Sequence, residues 1–159
     1  MSSNIAGADA SILMAFTQVF RAPQIKNVAC AHGGVGLWPI DQPRPHYAVV
    51  VVDIDLPSAA TSMISVSEFS LFAENGSKEG SLVAVESIEK LPMESPPPPW
   101  DPISGAGTLL TGPLSAGTTR VRIRMRVDKE FLVENYKMTL TGLGEPQTVT
   151  GTRCTAWPT

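Results

Sequence analysis

Few side chains in this sequence could do acid–base, nucleophilic or metal chemistry, and they are scattered. There are two histidines, His32 and His46, and two cysteines, Cys30 and Cys154. Cys30 and His32 could start a metal grip. A tetrahedral zinc site, however, usually takes four donors, and Cys154 and Asp41 would have to converge on the pair without any recognisable spacing motif. No metal site is therefore predicted. Catalytic Cys–His chemistry needs a base positioned to lower the thiol pKa, and no spacing here supplies one. Gly33-Gly34-Val35-Gly36 lacks the lysine and the following amphipathic helix of a phosphate-binding loop. The residues read as those of a protein without enzymatic activity and without a cofactor.

The densest chemistry is electrostatic. In Arg120-Val121-Arg122-Ile123-Arg124-Met125-Arg126-Val127, arginines alternate with apolar residues. At the two-residue period of a strand, Val121, Ile123, Met125 and Val127 fall on one face and the arginines on the other, whereas a helix would scatter both sets. The apolar face is expected to cover a core, with Val121, Ile123 and Val127 almost fully buried. Three partners suit the charged face. Asp53, Asp55, Glu68 and Glu86 on neighbouring strands could pair across to it. An acidic protein could dock on it, because guanidinium groups bind carboxylates bidentately. A polyanion could run along it, since alternate strand residues lie about 6.5–7 Å apart. Net charge −3, pI near 5.3 and the absence of interleaved aromatic residues weigh against nucleic acid. Arg120, Arg122, Arg124 and Arg126, together with Trp38 and Trp100, make up the candidate partner-binding set. Trp38 also has a plainer reading as a cap over one end of the core.

These residues need a β scaffold to place them. Pro 14 and Gly 13 punctuate the chain and leave little room for long helices. Residues 1–10 are expected to be a flexible start. Ser11 to Phe20 fits a helical stripe as well as a buried first strand; β-branched and aromatic residues ending at Ala22-Pro23 favour the strand, which Gln24 to Ala31 would extend. His32 to Pro45 reads as a long loop. Tyr47 to Leu56, with four consecutive valines, reads as a central strand whose Asp53 and Asp55 share one face. Met63 to Phe72 supplies another strand before the Asn75-Gly76 turn, and Ser81 to Leu91 the next. Pro96-Pro97-Pro98-Pro99 fixes an extended connector within 94–107, which is read as a stiff spacer ahead of a ligand for SH3 or WW domains. Thr108 to Leu110 is a short extended piece, Tyr136 to Thr141 a closing strand, and the tail from Val149 could pair back along an edge.

The 159 residues are expected to form a single domain with a real core. No apolar run approaches the roughly 18 residues that cross a bilayer as a helix. No basic residue stands between Met1 and Ile12, so a cleavable signal is not expected in Ile12 to Phe20. Cys30 and Cys154 could bridge, closing a loop worth about 4–5 kcal/mol and implying an oxidising compartment, or remain separate thiols; spacing does not decide.

The order of motifs is itself informative. A valine-rich strand ending Asp53-Ile54-Asp55 is followed by Ser67-Glu68-Phe69-Ser70-Leu71-Phe72 and the Asn75-Gly76 turn. Gly112-Pro113-Leu114-Ser115-Ala116-Gly117-Thr118-Thr119 then leads into the arginine strand, and Tyr136-Lys137-Met138-Thr139-Leu140 closes the series. This order resembles the telokin-like immunoglobulin-like domains of bacterial cell-envelope proteins and lipoproteins, over roughly Tyr47 to Thr141. The Leu114 to Thr118 stretch sits where that family leads into its penultimate strand. Two features depart from the pattern: Asn27-Val28-Ala29-Cys30 is not a lipobox, and the proline-rich insert is longer than expected. The resemblance implies an antiparallel immunoglobulin-like β-sandwich of about seven to nine strands with proline-rich loops. It also implies an extracytoplasmic binding or assembly module without catalytic residues. The alternative is a self-assembling structural subunit, such as a capsid or surface-layer component. The expected partner is accordingly another protein or a second copy.

Overall fold

The computed structural model describes residues 22–34, 39, 41–42, 45–93, 106–129 and 135–156. Among the described residues there are nine strands and no helix, in agreement with the expected all-β class. They are β1 (Gln24–Gly34), β2 (His46–Leu56), β3 (Ser65–Phe72), β4 (Lys78–Leu91), β5 (Thr108–Leu109), β6 (Gly117–Lys129), β7 (Asn135–Thr141), β8 (Gln147–Gly151) and β9 (Cys154–Ala156). The Ser11 to Phe20 segment, the proline run, Trp38, Trp100 and Trp157 lie outside the described residues.

Pairing follows one path, β8-β7-β3-β4-β6-β2-β1-β9, with β5 added to β4. Every ladder is antiparallel except one: β9 runs parallel to β1, with Cys30 opposite Cys154 and His32 opposite Ala156. The sheet is therefore mixed, where the sequence suggested purely antiparallel pairing. Chain connectivity gives the reason. Only Thr152 and Arg153 separate β8, the edge strand on β7, from β9, the edge strand on β1. Gly151 and Cys154 can be no more than about 11 Å apart. The same stretch of chain thus serves both edges, nearly closing the sheet, and β9 takes its direction along β1 from β8. Gly151 is required here because a Cβ at that position would overlap the ring of Tyr136, its cross-strand partner. A disulfide between Cys30 and Cys154, with Cα atoms 4.6 Å apart, fixes the closure.

One core fills the interior. β2 contributes Ala48, Val50, Val52, Ile54 and Leu56; β6 contributes Val121, Ile123, Met125 and Val127; β3 and β7 contribute Val66, Phe69, Leu71, Tyr136, Met138 and Leu140. Val121 and Ile123 are 0% exposed and Val127 is 3%, as the alternation predicts. The valine run is buried on its second face too, since Val49 and Val51 are as inaccessible as Val50 and Val52. This is the behaviour of a central strand, and the pairing of β2 with both β1 and β6 makes it one.

The sequence placed the start of a loop at His32, but β1 continues through Gly34 and β2 begins at His46. Gly33 and Gly34 oppose Tyr47 and His46 in the ladder. Backbone pairing needs no side chain, so glycine weakens such a rung without abolishing it. Gly142, at φ 89°, ends β7 where a Cβ would strike the backbone of Met63.

Candidate functional site

The outer face of β6 carries the arginines, and the register of the flanking strands decides what each one meets. On β2, Asp53 stands opposite Arg120, Val51 opposite Arg122, Val49 opposite Arg124 and Tyr47 opposite Arg126. On β4 the corresponding neighbours are Leu91, Glu89, Ser87 and Ala84. Carboxylates in register with an arginine therefore lie at one end of the ladder only; Glu86, inserted at the β4 bulge beside Ser87, is exposed and makes no ion pair among the described residues.

At that end the charges interlock. Arg120 Nε donates to Asp53 Oδ1 at 2.7 Å and Arg120 Nη2 donates to Oδ2 at 3.0 Å, a bidentate pair with both partners buried. Asn27 Nδ2 donates to the same Oδ2 at 2.8 Å. Asn27 reaches it because β1 bulges between Lys26 and Ala29, and Asn27 itself sits at φ 53°, a left-handed conformation that asparagine tolerates. Burial alone would raise the Asp53 pKa. Hydrogen bonds from Arg120 and Asn27, with the charges of Arg120 and Lys26, outweigh that effect and hold the carboxyl below its ordinary value. Next along, Arg122 Nε donates to Glu89 Oε1 at 3.0 Å.

Of the acidic residues expected to cross-pair, only Asp53 does so with an arginine. Glu68 lies 3.5 Å from Lys137 in an exposed pair, Glu86 projects into solvent, and Asp55 is in register with Thr118. Glu89, which sequence reasoning did not single out, takes the place expected of Glu86. β4 is bulged between Leu82 and Ala84 and again between Val85 and Ser87. Each bulge inserts a residue, so Glu89 rather than Ser87 comes to lie beside Arg122.

The other end is different. Arg124 is half-buried and Arg126 exposed, and among the described residues neither makes a side-chain hydrogen bond or ion pair. Beside them are Tyr47 and Val83, the latter 53% exposed at a bulge of β4. Asp128, the nearest acid along the strand, accepts from the backbone N and Oγ of Ser81. Of the candidate set, the structure thus gathers the four arginines on one face and divides them by environment, while Trp38 and Trp100 are outside the described residues.

The potential metal donors are not gathered. Cys30 and Cys154 are consumed by their disulfide, and among the described residues there is no group of three or more His, Cys, Asp or Glu side chains able to hold a metal ion. His32 and His46 do meet, with Nδ1 of the first and Nε2 of the second 3.0 Å apart. A small cavity of about 230 Å³ lies between the β2–β3 and β7–β8 connections, lined by Pro23, Leu56, Pro57, Ala60 and Leu143 among others, with no titratable side chain. No helix among the described residues is long and apolar enough to cross a membrane. No protein-family profile, curated protein or solved structure matches this chain.

Proposed function

We propose that the protein is a non-catalytic binding or assembly module that engages an acidic protein surface through the Arg124–Arg126 end of β6. The observation that carries this reading is the division of the arginine ladder. Arg120 and Arg122 already have carboxylates, whereas Arg124 and Arg126 present guanidinium groups beside Tyr47 and Val83 without an acidic partner among the described residues. Aromatic, aliphatic and arginine side chains together are the usual constituents of protein-binding surfaces. The Cys30–Cys154 disulfide favours an extracytoplasmic setting.

The finer fold belongs to the same proposal: an immunoglobulin-like sandwich, of the telokin-like kind that the motif order resembles. Pairing between β3 and β4 is confined to Ser70–Phe72 against Lys78–Ser81, beyond which the strands part. This supports one layer of β3, β7 and β8 facing a second of β4, β6, β2, β1 and β9, with the core between them.

The test uses poly-L-glutamate and a single-stranded oligonucleotide of equal charge as probes, with binding followed by fluorescence anisotropy at low salt. Poly-L-glutamate should bind more tightly than the oligonucleotide, and Arg124→Glu with Arg126→Glu should weaken it by at least about tenfold, the scale of losing one charged contact. Equal binding by parent and variant would remove this face from the interface. The second reading, a self-assembling subunit, predicts a large closed assembly in size-exclusion chromatography with light scattering; a monomer at all accessible concentrations rejects it.

A further inference from the structure

The pair of histidines forms a second feature, unrelated to the arginine face. His32 and His46 are the only histidines in the chain, and β1–β2 pairing brings them together at the inner end of the hairpin. His32 opposes Ala48, and His46 opposes Gly34, so the two rings are diagonal neighbours on the core-facing side. Their centroids are 5.2 Å apart, His32 is 2% exposed, and the Cys30–Cys154 disulfide is the next inward-facing feature along β1.

We infer that this pair is an acid-sensitive latch on the β1–β2 end, holding the strands together while it carries no more than one proton between its facing nitrogens and releasing them when a second arrives. The argument concerns those two nitrogens alone and is independent of what the outer nitrogens bond. At 3.0 Å one of His32 Nδ1 and His46 Nε2 must donate and the other accept. Two neutral rings satisfy this, as do one imidazolium and one imidazole. Two imidazolium rings do not, because both facing nitrogens then carry hydrogens and the two charges meet where His32 is buried and His46 half-buried. Taking up the second proton therefore requires the rings to separate. The two protonation steps belong to the pair and not to either residue.

Among the described residues, no charged group on the packed elements faces the pair from the core side. On β1 the only charged residue is Lys26, at the far end beside Asp53. On β2, Tyr47 alternates to the opposite face, as do Asp53 and Asp55 further along. On β6, Val127 meets His46, while Arg126 and Asp128 flank it on the other face. β9 contributes Cys154, Thr155 and Ala156, none of which titrates in the bridged protein, and Leu82 of β4 stands opposite Val127. Histidine is the side chain whose charge ordinarily changes between about pH 5 and 8, and that range is the one to test. The backbone rungs nearest the rings are Gly33 with Tyr47 and Gly34 with His46, to which the glycines add no side-chain packing.

The test is amide hydrogen exchange on the full chain from about pH 7.5 to 5, each rate referred to the intrinsic rate at that pH. Protection at Ala31, Gly33 and Tyr47 should fall about tenfold, while Ile25 and Ile54 at the other end of the same ladder keep theirs. His46→Gln and His32→Asn each replace one ring by an uncharged amide. Either variant should retain its own high-pH protection throughout, even if that starting value is lower. Unchanged protection at the histidine end of the wild type, or the same loss in either folded variant, overturns the latch. So does an imidazole nitrogen spectrum showing both rings fully protonated while protection persists.

Discussion

The two ends of β6 carry the same repeat in opposite circumstances. Arg120 and Arg122 are almost out of water and each holds a carboxylate; Arg124 and Arg126 lie on the same face of the same strand beside valine, serine, tyrosine and alanine. The difference lies wholly in the neighbours. At the first end, Asp53 on β2 and a twice-bulged β4 deliver acids into register, and the bulge of β1 adds Asn27 to the same carboxylate. At the second end no acid of the neighbouring strands is in register with an arginine, and Glu86 at the β4 bulge makes no ion pair among the described residues. A buried arginine is costly unless paired with good geometry, so the paired end is structural, and the unpaired end is the one proposed to meet a partner.

Breaking the paired end should have the largest effect. Arg120→Ala strands the Asp53 carboxylate in the interior and should cost about 3–5 kcal/mol in urea denaturation. Cys154→Ser, which releases β9 from β1, should cost about 2–5 kcal/mol by the same measurement. Asn27→Ala removes one hydrogen bond to a charged acceptor and places alanine at positive φ; about 1.5–3 kcal/mol is expected.

Acid should act at the paired end as well. The Asp53 pKa is lowered in the folded protein, because hydrogen bonds and cationic neighbours overcome burial. The unfolded chain therefore takes up this proton first as pH falls. The stability contributed by Asp53 is fully present above its unfolded value of about 3.9 and is lost as pH drops through the lower folded value. Urea midpoints measured from pH 5 to pH 2 should fall, and Asp53→Asn should flatten that part of the profile.

At the unpaired end, exposed Arg126→Glu should change stability by no more than about 0.5 kcal/mol and half-buried Arg124→Glu by less than Arg120→Ala, while the two together abolish most poly-L-glutamate binding. A stability loss comparable to that of Arg120→Ala would erase the distinction between the two ends.

Much of the scaffold was legible in the chain because strand periodicity is local. The alternation from Arg120 to Val127 fixed which side chains face the core, and the valine run of Tyr47 to Leu56 marked a strand buried on both sides. Asn75-Gly76 marked its turn, where Gly76 has positive φ. Other features were not local. Glu89 was invisible as the partner of Arg122 because two bulges, which leave no clear pattern in composition, set the register of β4. Asn27 was invisible because its role depends on a bulge opposite Asp53. His32 and His46 looked like the two sides of a loop until the ladder carried both strands to their ends.

The sequence by itself determined that the described residues are built mainly of strands, which residues of β2 and β6 line the core and that four arginines share one face. Only the tertiary structure decided that Cys30 and Cys154 pair, that β9 runs parallel to β1 to nearly close the sheet, and that the arginine face is neutralised at one end and open at the other. The physical reason is one of range. Side-chain alternation is set by neighbouring residues along a strand, whereas charge pairing, disulfide bonding and closure depend on register between strands that lie far apart in the sequence.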